Sequence, residues 1–260
     1  MKRILALSLA SALLTCLWAG IAQARSFDEI MSSKVLRVGT TGDYKPFSYN
    51  NNGKYEGFDI AVAESFAEKL GVKLEFVPTT WKTLMQDLKD GKYDIGMSGI
   101  TRTIARQKEA CFSQGYVTFG KTPLVAAAKA ADFKTMADID RKGVRIGVNP
   151  GGTNEKFVRA NIKNAEIVVF ESNLAIPAAV ADGKVDVMIT DSVEAIFYAA
   201  TNPALAAPML DNLFTRSQLG YLMPAGDSRL QDTVNFMMDE MILKGEMDQL
   251  KSLYLHMDRQ

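Results

Sequence analysis

The sequence predicts a two-lobed α/β protein, each lobe a mainly parallel sheet flanked by helices, with a cleft between the lobes. Three observations carry that expectation. Short strand-like runs alternate with amphipathic stretches in the order βαβαβ, which implies a parallel sheet. The same order returns later in the chain, and the two passes echo one another. Asp90-Gly91-Lys92-Tyr93-Asp94 matches Asp182-Gly183-Lys184-Val185-Asp186, and Arg37-Val38-Gly39 matches Arg145-Ile146-Gly147. Finally, residues 116–125 and 213–222 are suited to carry the chain out of one lobe and back.

In the first pass, residues 35–38 read as a strand. Ile60, Ala63, Phe66, Ala67 and Leu70 recur at helical spacing, with Gly71 placed to close the helix. Residues 74–77 are the next strand, ended by Pro78. Trp81, Leu84, Met85 and Leu88 mark a helix stopped by Gly91, and residues 93–97 the third strand. In the second pass, residues 144–148, 167–170 and 185–189 are strands. A helix opening near Thr153 carries Phe157, Val158 and Ile162, and residues 174–182 form another. Leu230, Val234, Met237, Met238, Met241 and Ile242 make an amphipathic C-terminal helix whose methionines serve as core filler. The expected division is a leader over 1–24, lobe 1 over 25–119, lobe 2 over 120–214, and a return segment to lobe 1 over 215–260. Hinged lobes place a ligand between them, at the C-terminal ends of the parallel strands.

Composition narrows the chemistry. The chain of 260 residues has 30 basic and 30 acidic side chains, one histidine and two cysteines. A neutral balance gives no reason to expect nucleic acid or an anionic membrane as partner. One histidine, His256, and two cysteines are too few for a His/Cys metal cluster, and the histidine is assigned to no site. Lys2 and Arg3 precede an apolar run to about Ile21, and Ala22-Gln23-Ala24 fits a signal-peptidase site, so a cleaved leader and a periplasmic location are expected, with no membrane anchor. Cleavage leaves 28 basic against 30 acidic residues, a net charge of −2, and removes Cys16, leaving Cys111 without a disulfide partner.

Gly42-Asp43-Tyr44-Lys45-Pro46-Phe47, Gly57-Phe58-Asp59 and Met97-Ser98-Gly99-Ile100-Thr101 running on to Arg106 resemble the type II periplasmic solute-binding proteins, especially the amino-acid-binding family 3. The resemblance spans essentially the whole mature chain. It implies that Arg106 grips a ligand carboxylate with help from Ser98 and Thr101, and that Asp191 meets an amino group. Three further stretches carry a narrower resemblance: Gly120-Lys121-Thr122-Pro123, Val148-Asn149-Pro150-Gly151-Gly152-Thr153-Asn154-Glu155-Lys156-Phe157, and Thr190-Asp191-Ser192-Val193-Glu194-Ala195. They are similar to the cyclohexadienyl dehydratases, solute-binding-protein relatives that act on prephenate and arogenate. Amino-acid binders usually lack the lysine at the place of Lys121 and have a small or apolar residue at that of Glu194.

The narrower resemblance implies a lyase that needs no metal and no organic cofactor, with a small-molecule substrate as partner and a homo-oligomer left open. Glu194 is then the general acid that protonates the departing ring hydroxyl. From spacing alone, Asp191 and Glu194 also suit the N-cap and N3 positions of a capping box. Lys121, ordinarily a solvated lysine at a strand edge, becomes a second cation beside Arg106 for a substrate with two carboxylates. The Gly152-Thr153 turn opens a helix whose backbone N–H groups suit an anion. Asn149 and Asn154 either bond the substrate or satisfy the turn. Trp81 and Tyr44 cover an apolar ring, and Asp43 orients Tyr44 or shapes its turn. Arg102 departs from the dehydratase pattern by adding charge near Arg106. The rival expectation is a non-catalytic amino-acid-binding subunit of an ABC importer, partnered by a permease.

Overall fold

A computed structural model describes residues 24–255. The expected leader, up to residue 23, lies outside the described residues, as does His256.

Helix α1 (Phe27–Ser33) starts on a Ser26–Glu29 capping box and leads into β1 (Val35–Thr40). A meander of β2 (Asp43–Tyr44), β3 (Ser48–Asn51) and β4 (Lys54–Glu56) follows. Next come α2 (Phe58–Leu70), closed by Gly71 at a φ of 63°, then β5 (Lys73–Pro78) and α3 (Leu84–Lys89). Strand β6 (Ile95–Gly96), α4 (Ile104–Gln107) and β7 (Ala110–Phe112) complete this stretch. Beyond β8 (Val117–Phe119) and β9 (Lys121–Ala126), the second pass contains α5 (Met136–Ile139), β10 (Arg145–Val148), α6 (Thr153–Asn161) and β11 (Glu166–Val169). Helix α7 (Ala175–Ala181), β12 (Val187–Asp191), α8 (Ser192–Thr201) and β13 (Leu205–Ala206) follow. The chain ends through β14 (Ser217–Leu219), β15 (Leu222–Pro224), α9 (Ser228–Leu243) and α10 (Glu246–Tyr254).

Two five-stranded sheets result, in the orders β5-β1-β6-β15-β7 and β11-β10-β12-β9-β13. In the first, β1 pairs in parallel with β5 and β6, and β15 is antiparallel to both β6 and β7. In the second, β10 is parallel to β11 and β12, and β9 is antiparallel to β12 and β13. Four of the five strands therefore run one way in each sheet. The two crossings lie side by side, since β8 and β14 pair antiparallel from Val117↔Leu219 to Phe119↔Ser217. Gly120 makes that closeness possible, because a Cβ there would sit 1.9 Å from the Thr215 carbonyl oxygen.

Alternation along the strands sorts the second core into two layers. Val125, Val187 and Ile189 join Ile146, Val148 and Val158 on one side, while Leu124 and Met188 join Ile176, Val180 and Ala195 on the other. In the first lobe Met237, Met238 and Met241 are buried among Leu36, Val38, Phe58, Phe66 and Tyr221. Two expected elements differ. The ladder of the third strand shrinks to Ile95–Gly96, because Asp94 turns back to accept from Arg37 and Arg25. Trp81 precedes α3 rather than riding on it, held out by a turn in which Thr80 and Thr83 bond each other's backbone N–H.

Candidate active site

The cleft collects the loops that follow the parallel strands of both sheets, where strand ends leave backbone groups and side chains free to meet a ligand. After β1 come Asp43 and Tyr44, after β5 Trp81, and after β6 the Ser98–Thr101 turn. From the second sheet, β10 delivers Asn149 to Asn154, β11 delivers Asn173, and β12 ends on Asp191. Tyr44, Trp81, Gly99, Thr101, Asn149, Gly152, Thr153, Asn154, Asn173 and Asp191 line a cavity of about 20 Å³.

Contacts across the cleft tie the two lobes. The Tyr44 hydroxyl donates to Asp191 Oδ2, and the Thr101 and Thr153 hydroxyls are 3.2 Å apart. Trp81 Nε1 donates to Asp43 Oδ1 at 2.9 Å, and Thr41 and the Asn173 backbone lie near enough to favour its ionised form. Burial nevertheless holds the Asp43 carboxyl above its ordinary pKa.

Lys121 is buried behind the cavity wall. Its Nζ donates to Thr153 Oγ1 at 3.0 Å, to Asn154 Oδ1 and to Asp191 Oδ1. The lysine is not a solvated strand-edge residue: it is paired with Asp191 of β12, and polar partners from the end of β12 and the start of α6 surround its ammonium. Arg106 is also buried, and burial lowers its pKa to about 10. Its Nη1 donates to the Thr101 carbonyl at 2.9 Å, and its side chain lines an adjoining open recess of about 450 Å³ shared with Trp81, Thr153, Lys82 and Lys156.

Glu194 has no solvent exposure and does not line the cavity. Asn173 Nδ2 donates to its Oε1 at 2.6 Å, and the Thr190 hydroxyl contacts Oε2. Asp191 caps α8 by position alone, with no side-chain capping bond, so the capping-box alternative fails: the glutamate turns inward to Thr190 and Asn173 instead. Burial, reinforced by the charges of Asp191 and Asp43 and opposed by the bonds from Thr190 and Asn173, pushes the Glu194 pKa well above the usual carboxylate value, which favours its protonated form.

The structure thus places Tyr44, Trp81, Thr101, Asn149, Gly152, Thr153, Asn154 and Asp191 on one wall-set, with Lys121 and Glu194 one hydrogen bond behind it. Ser98 is fully buried and bonded to the Thr41 hydroxyl at 2.8 Å, so it braces the loops rather than facing the cavity. Arg102 turns away, donating to Gln218 Oε1 at 2.8 Å beside the crossing strands, which removes it from the neighbourhood of the carboxylate anchor. Sequence reasoning missed Asn173, Gly99 and Thr190. Asn173 had a signal, since it follows a parallel strand of the second pass. Among the described residues there is no group of three or more His, Cys, Asp or Glu side chains placed to hold a metal, and no helix long and apolar enough to cross a membrane.

Residues 36–257 match the family model of bacterial extracellular solute-binding proteins, family 3. The chain is 47% identical over 208 residues to a cyclohexadienyl dehydratase of Pseudomonas aeruginosa, covering 80% of this chain and 78% of that protein. It is 28% identical to the L-cystine-binding protein TcyJ of Escherichia coli, over 92% of this chain and 91% of that one. Among solved structures, an ancestral amino acid-binding protein described as a precursor of cyclohexadienyl dehydratase aligns with a TM-score of 0.81 at 40% identity, covering 88% of this chain and 98% of its own. An ancestral cyclohexadienyl dehydratase aligns at 55% identity with a TM-score of 0.57, over 90% and 98% of the two chains.

Proposed function

The chain belongs to the bacterial extracellular solute-binding proteins, family 3, and from that premise we propose that it is a periplasmic cyclohexadienyl dehydratase. It converts prephenate to phenylpyruvate and arogenate to phenylalanine. The observation that carries this reading is a fully buried carboxyl, Glu194, whose burial favours the protonated form, one hydrogen bond behind the cleft wall of a chain that shares 47% identity with a curated enzyme of that name. In this reading the leader is cleaved after Ala24, lobe 1 comprises residues 25–119 and 215–260, and lobe 2 comprises 120–214.

The reaction needs one proton and two anchored carboxylates. Arg106 takes one carboxylate as a bidentate pair, which fixes orientation as well as charge. The N–H groups of the Gly152-Thr153 turn hold the other, with the Lys121 ammonium lending its charge from behind the wall, while Tyr44 and Trp81 flank the ring. Asn149 and Asn154 contribute polar contacts from the same loop. The cavity has room for about one water, so the lobes part to admit substrate and close around it. The carbon–carbon bond to the ring carboxylate breaks, and its electron pair enters the ring as carbon dioxide leaves. The carbon–oxygen bond to the hydroxyl breaks as Glu194 gives its proton, releasing water, and solvent restores that proton once the lobes open. Aromatisation drives the step.

The rival reading is an amino-acid-binding subunit of an importer. It is the weaker one, because the chain shares 47% identity with a dehydratase against 28% with the L-cystine-binding protein. Purified mature protein is incubated with prephenate and phenylpyruvate is followed by absorbance in alkali, beside a Glu194→Gln variant. Turnover that collapses in the variant supports the lyase and its acid together. Turnover that survives keeps the lyase and removes Glu194 from the role. No turnover, with a thermal shift on adding an amino acid, means a receptor.

A further inference from the structure

We propose that the open recess beside the cavity is a cationic subsite whose Lys82 and Lys156 select substrate by net charge. It favours prephenate, a dianion, over arogenate, whose ammonium offsets one of its two carboxylates. The inference rests on the lyase reading. Three observations support it. The recess holds about 450 Å³ against about 20 Å³ for the cavity, so of the two the recess has the volume of an ordinary small-molecule pocket. The two spaces adjoin, since Trp81 and Thr153 line both. The charged side chains lining the recess are Lys82, Arg106, Lys156 and Glu109, an excess of cations in a chain whose basic and acidic residues balance.

The acids nearby are committed elsewhere. Glu109 is paired with Lys89 at 2.6 Å, while Glu155 of α6 accepts from Arg159 Nε at 2.8 Å and from the Gly151 N–H at 2.7 Å. Lys82 and Lys156 are both exposed, and among the described residues neither has an ion-pair partner. Arg106 is buried and oriented by the Thr101 carbonyl, which suits it to hold one carboxylate in a fixed geometry. The two lysines act differently, as point charges on flexible stems. They also come from opposite lobes. Lys82 follows Trp81 in the turn after β5, and Lys156 lies three residues beyond Thr153 on α6. Their loops touch, because a Cβ on Gly151 would lie 2.6 Å from the Lys82 backbone nitrogen. Closure therefore brings both ammonium groups to one recess, where their mutual repulsion favours an anion between them.

Such a field discriminates by net charge. Across about 10 Å of water, one pair of unit charges changes affinity roughly twofold. Two lysines thus help the dianion about 16-fold and the monoanion about fourfold at low salt, a fourfold gap. The test is the double variant Lys82→Gln/Lys156→Gln, with Lys73→Gln/Lys142→Gln as control. Lys73 begins β5 and Lys142 precedes β10, so the control removes the same charge from exposed positions at the ends of the sheets away from the cleft. At low salt, kcat/KM should fall about 16-fold for prephenate and about fourfold for arogenate in the recess variant, mainly through KM, and less than twofold in the control. At about 1 M salt the gap between substrates should close. Equal losses for the two substrates, a gap that persists at high salt, or the same gap in the control would each overturn the proposal. Absent turnover in the unsubstituted protein counts against the lyase reading instead, and calorimetric titration of the same proteins with prephenate and arogenate then decides the recess. A fourfold shift in the ratio of the two Kd values upholds the subsite, whereas an unchanged ratio, or no binding of either compound, overturns it.

Discussion

Lys121 and Asp191 face each other directly across the antiparallel pair β9 and β12, and their side chains close a buried ion pair whose members are 5% and 4% exposed. A buried pair adds little over an apolar substitute of the same shape, but removing one member strands the other charge. Lys121→Met should therefore destabilise the fold by about 3–5 kcal/mol, while Lys121→Met combined with Asp191→Asn should regain most of that loss. Urea denaturation of the three proteins measures both figures. A single variant within about 0.5 kcal/mol of the unsubstituted protein would show that the pair is idle.

Arg106 offers a second test of the carboxylate anchor. One of its terminal nitrogens is spent on the Thr101 carbonyl, which locks the guanidinium plane and leaves the rest of the fork for a ligand. A lysine supplies charge but neither the fork nor the lock. In Arg106→Lys, kcat/KM for prephenate should drop by roughly 10- to 100-fold, mainly through KM, as expected for charge-assisted hydrogen bonds of about 1.5–3 kcal/mol. Steady-state kinetics give the split. A drop confined to kcat would relocate Arg106 from binding to the chemical step.

Gly151 seats one lobe on the other. A Cβ at this position would lie 2.6 Å from the Lys82 backbone nitrogen and 2.8 Å from Lys82 Cα, in a backbone that already has a φ of +96°. Gly151→Ala should prop the cleft open, raising KM at least tenfold, or about 1.4 kcal/mol, with a larger radius of gyration in X-ray scattering. Gly183→Ala is the control, because its φ of +70° brings similar strain but no atom lies within 4 Å. Equal KM changes in the two variants would reduce the Gly151 effect to backbone strain alone.

The fold was legible because its signals are local and periodic. The βαβαβ order, the Gly71 helix end and the methionine-filled face of α9 all follow from spacing within a dozen or so residues, and each strand expected in the two passes is present. The site was legible more by likeness than by physics. Nothing in the spacing of Asp191 and Glu194 separates a helix cap from a buried acid; only tertiary packing turns Glu194 toward Thr190 and Asn173. Trp81 fits a helical stripe by its period, yet a threonine turn lifts it out of α3 and its indole finds Asp43 instead. Asp59 lay in plain view within Gly57-Phe58-Asp59, but its burial depends on Gly99, Tyr116 and Tyr221, which are distant in sequence.

That aspartate yields the pH prediction. Asp59 is fully buried beneath the crossing strands, accepting from the Gly99 backbone N–H and the Tyr116 hydroxyl at 3.0 Å, and desolvation raises its pKa to about 7. A carboxyl whose proton binds more tightly in the folded state than in the unfolded chain makes the fold lose stability as pH rises between the two pKa values, here from about 4 to about 7. Each tenfold difference in proton affinity is worth about 1.4 kcal/mol, so the full loss over that window is about 4 kcal/mol. Asp59→Asn keeps an acceptor for both donors and cannot ionise. The difference in unfolding free energy between Asp59→Asn and the unsubstituted protein should therefore grow in favour of the variant from pH 4 to pH 7, then level off. Chemical denaturation at pH 4, 5.5, 7 and 8 follows that difference. A constant difference would mean that Asp59 stays ionised throughout, with its hydrogen bonds outweighing the desolvation that opposes its charge.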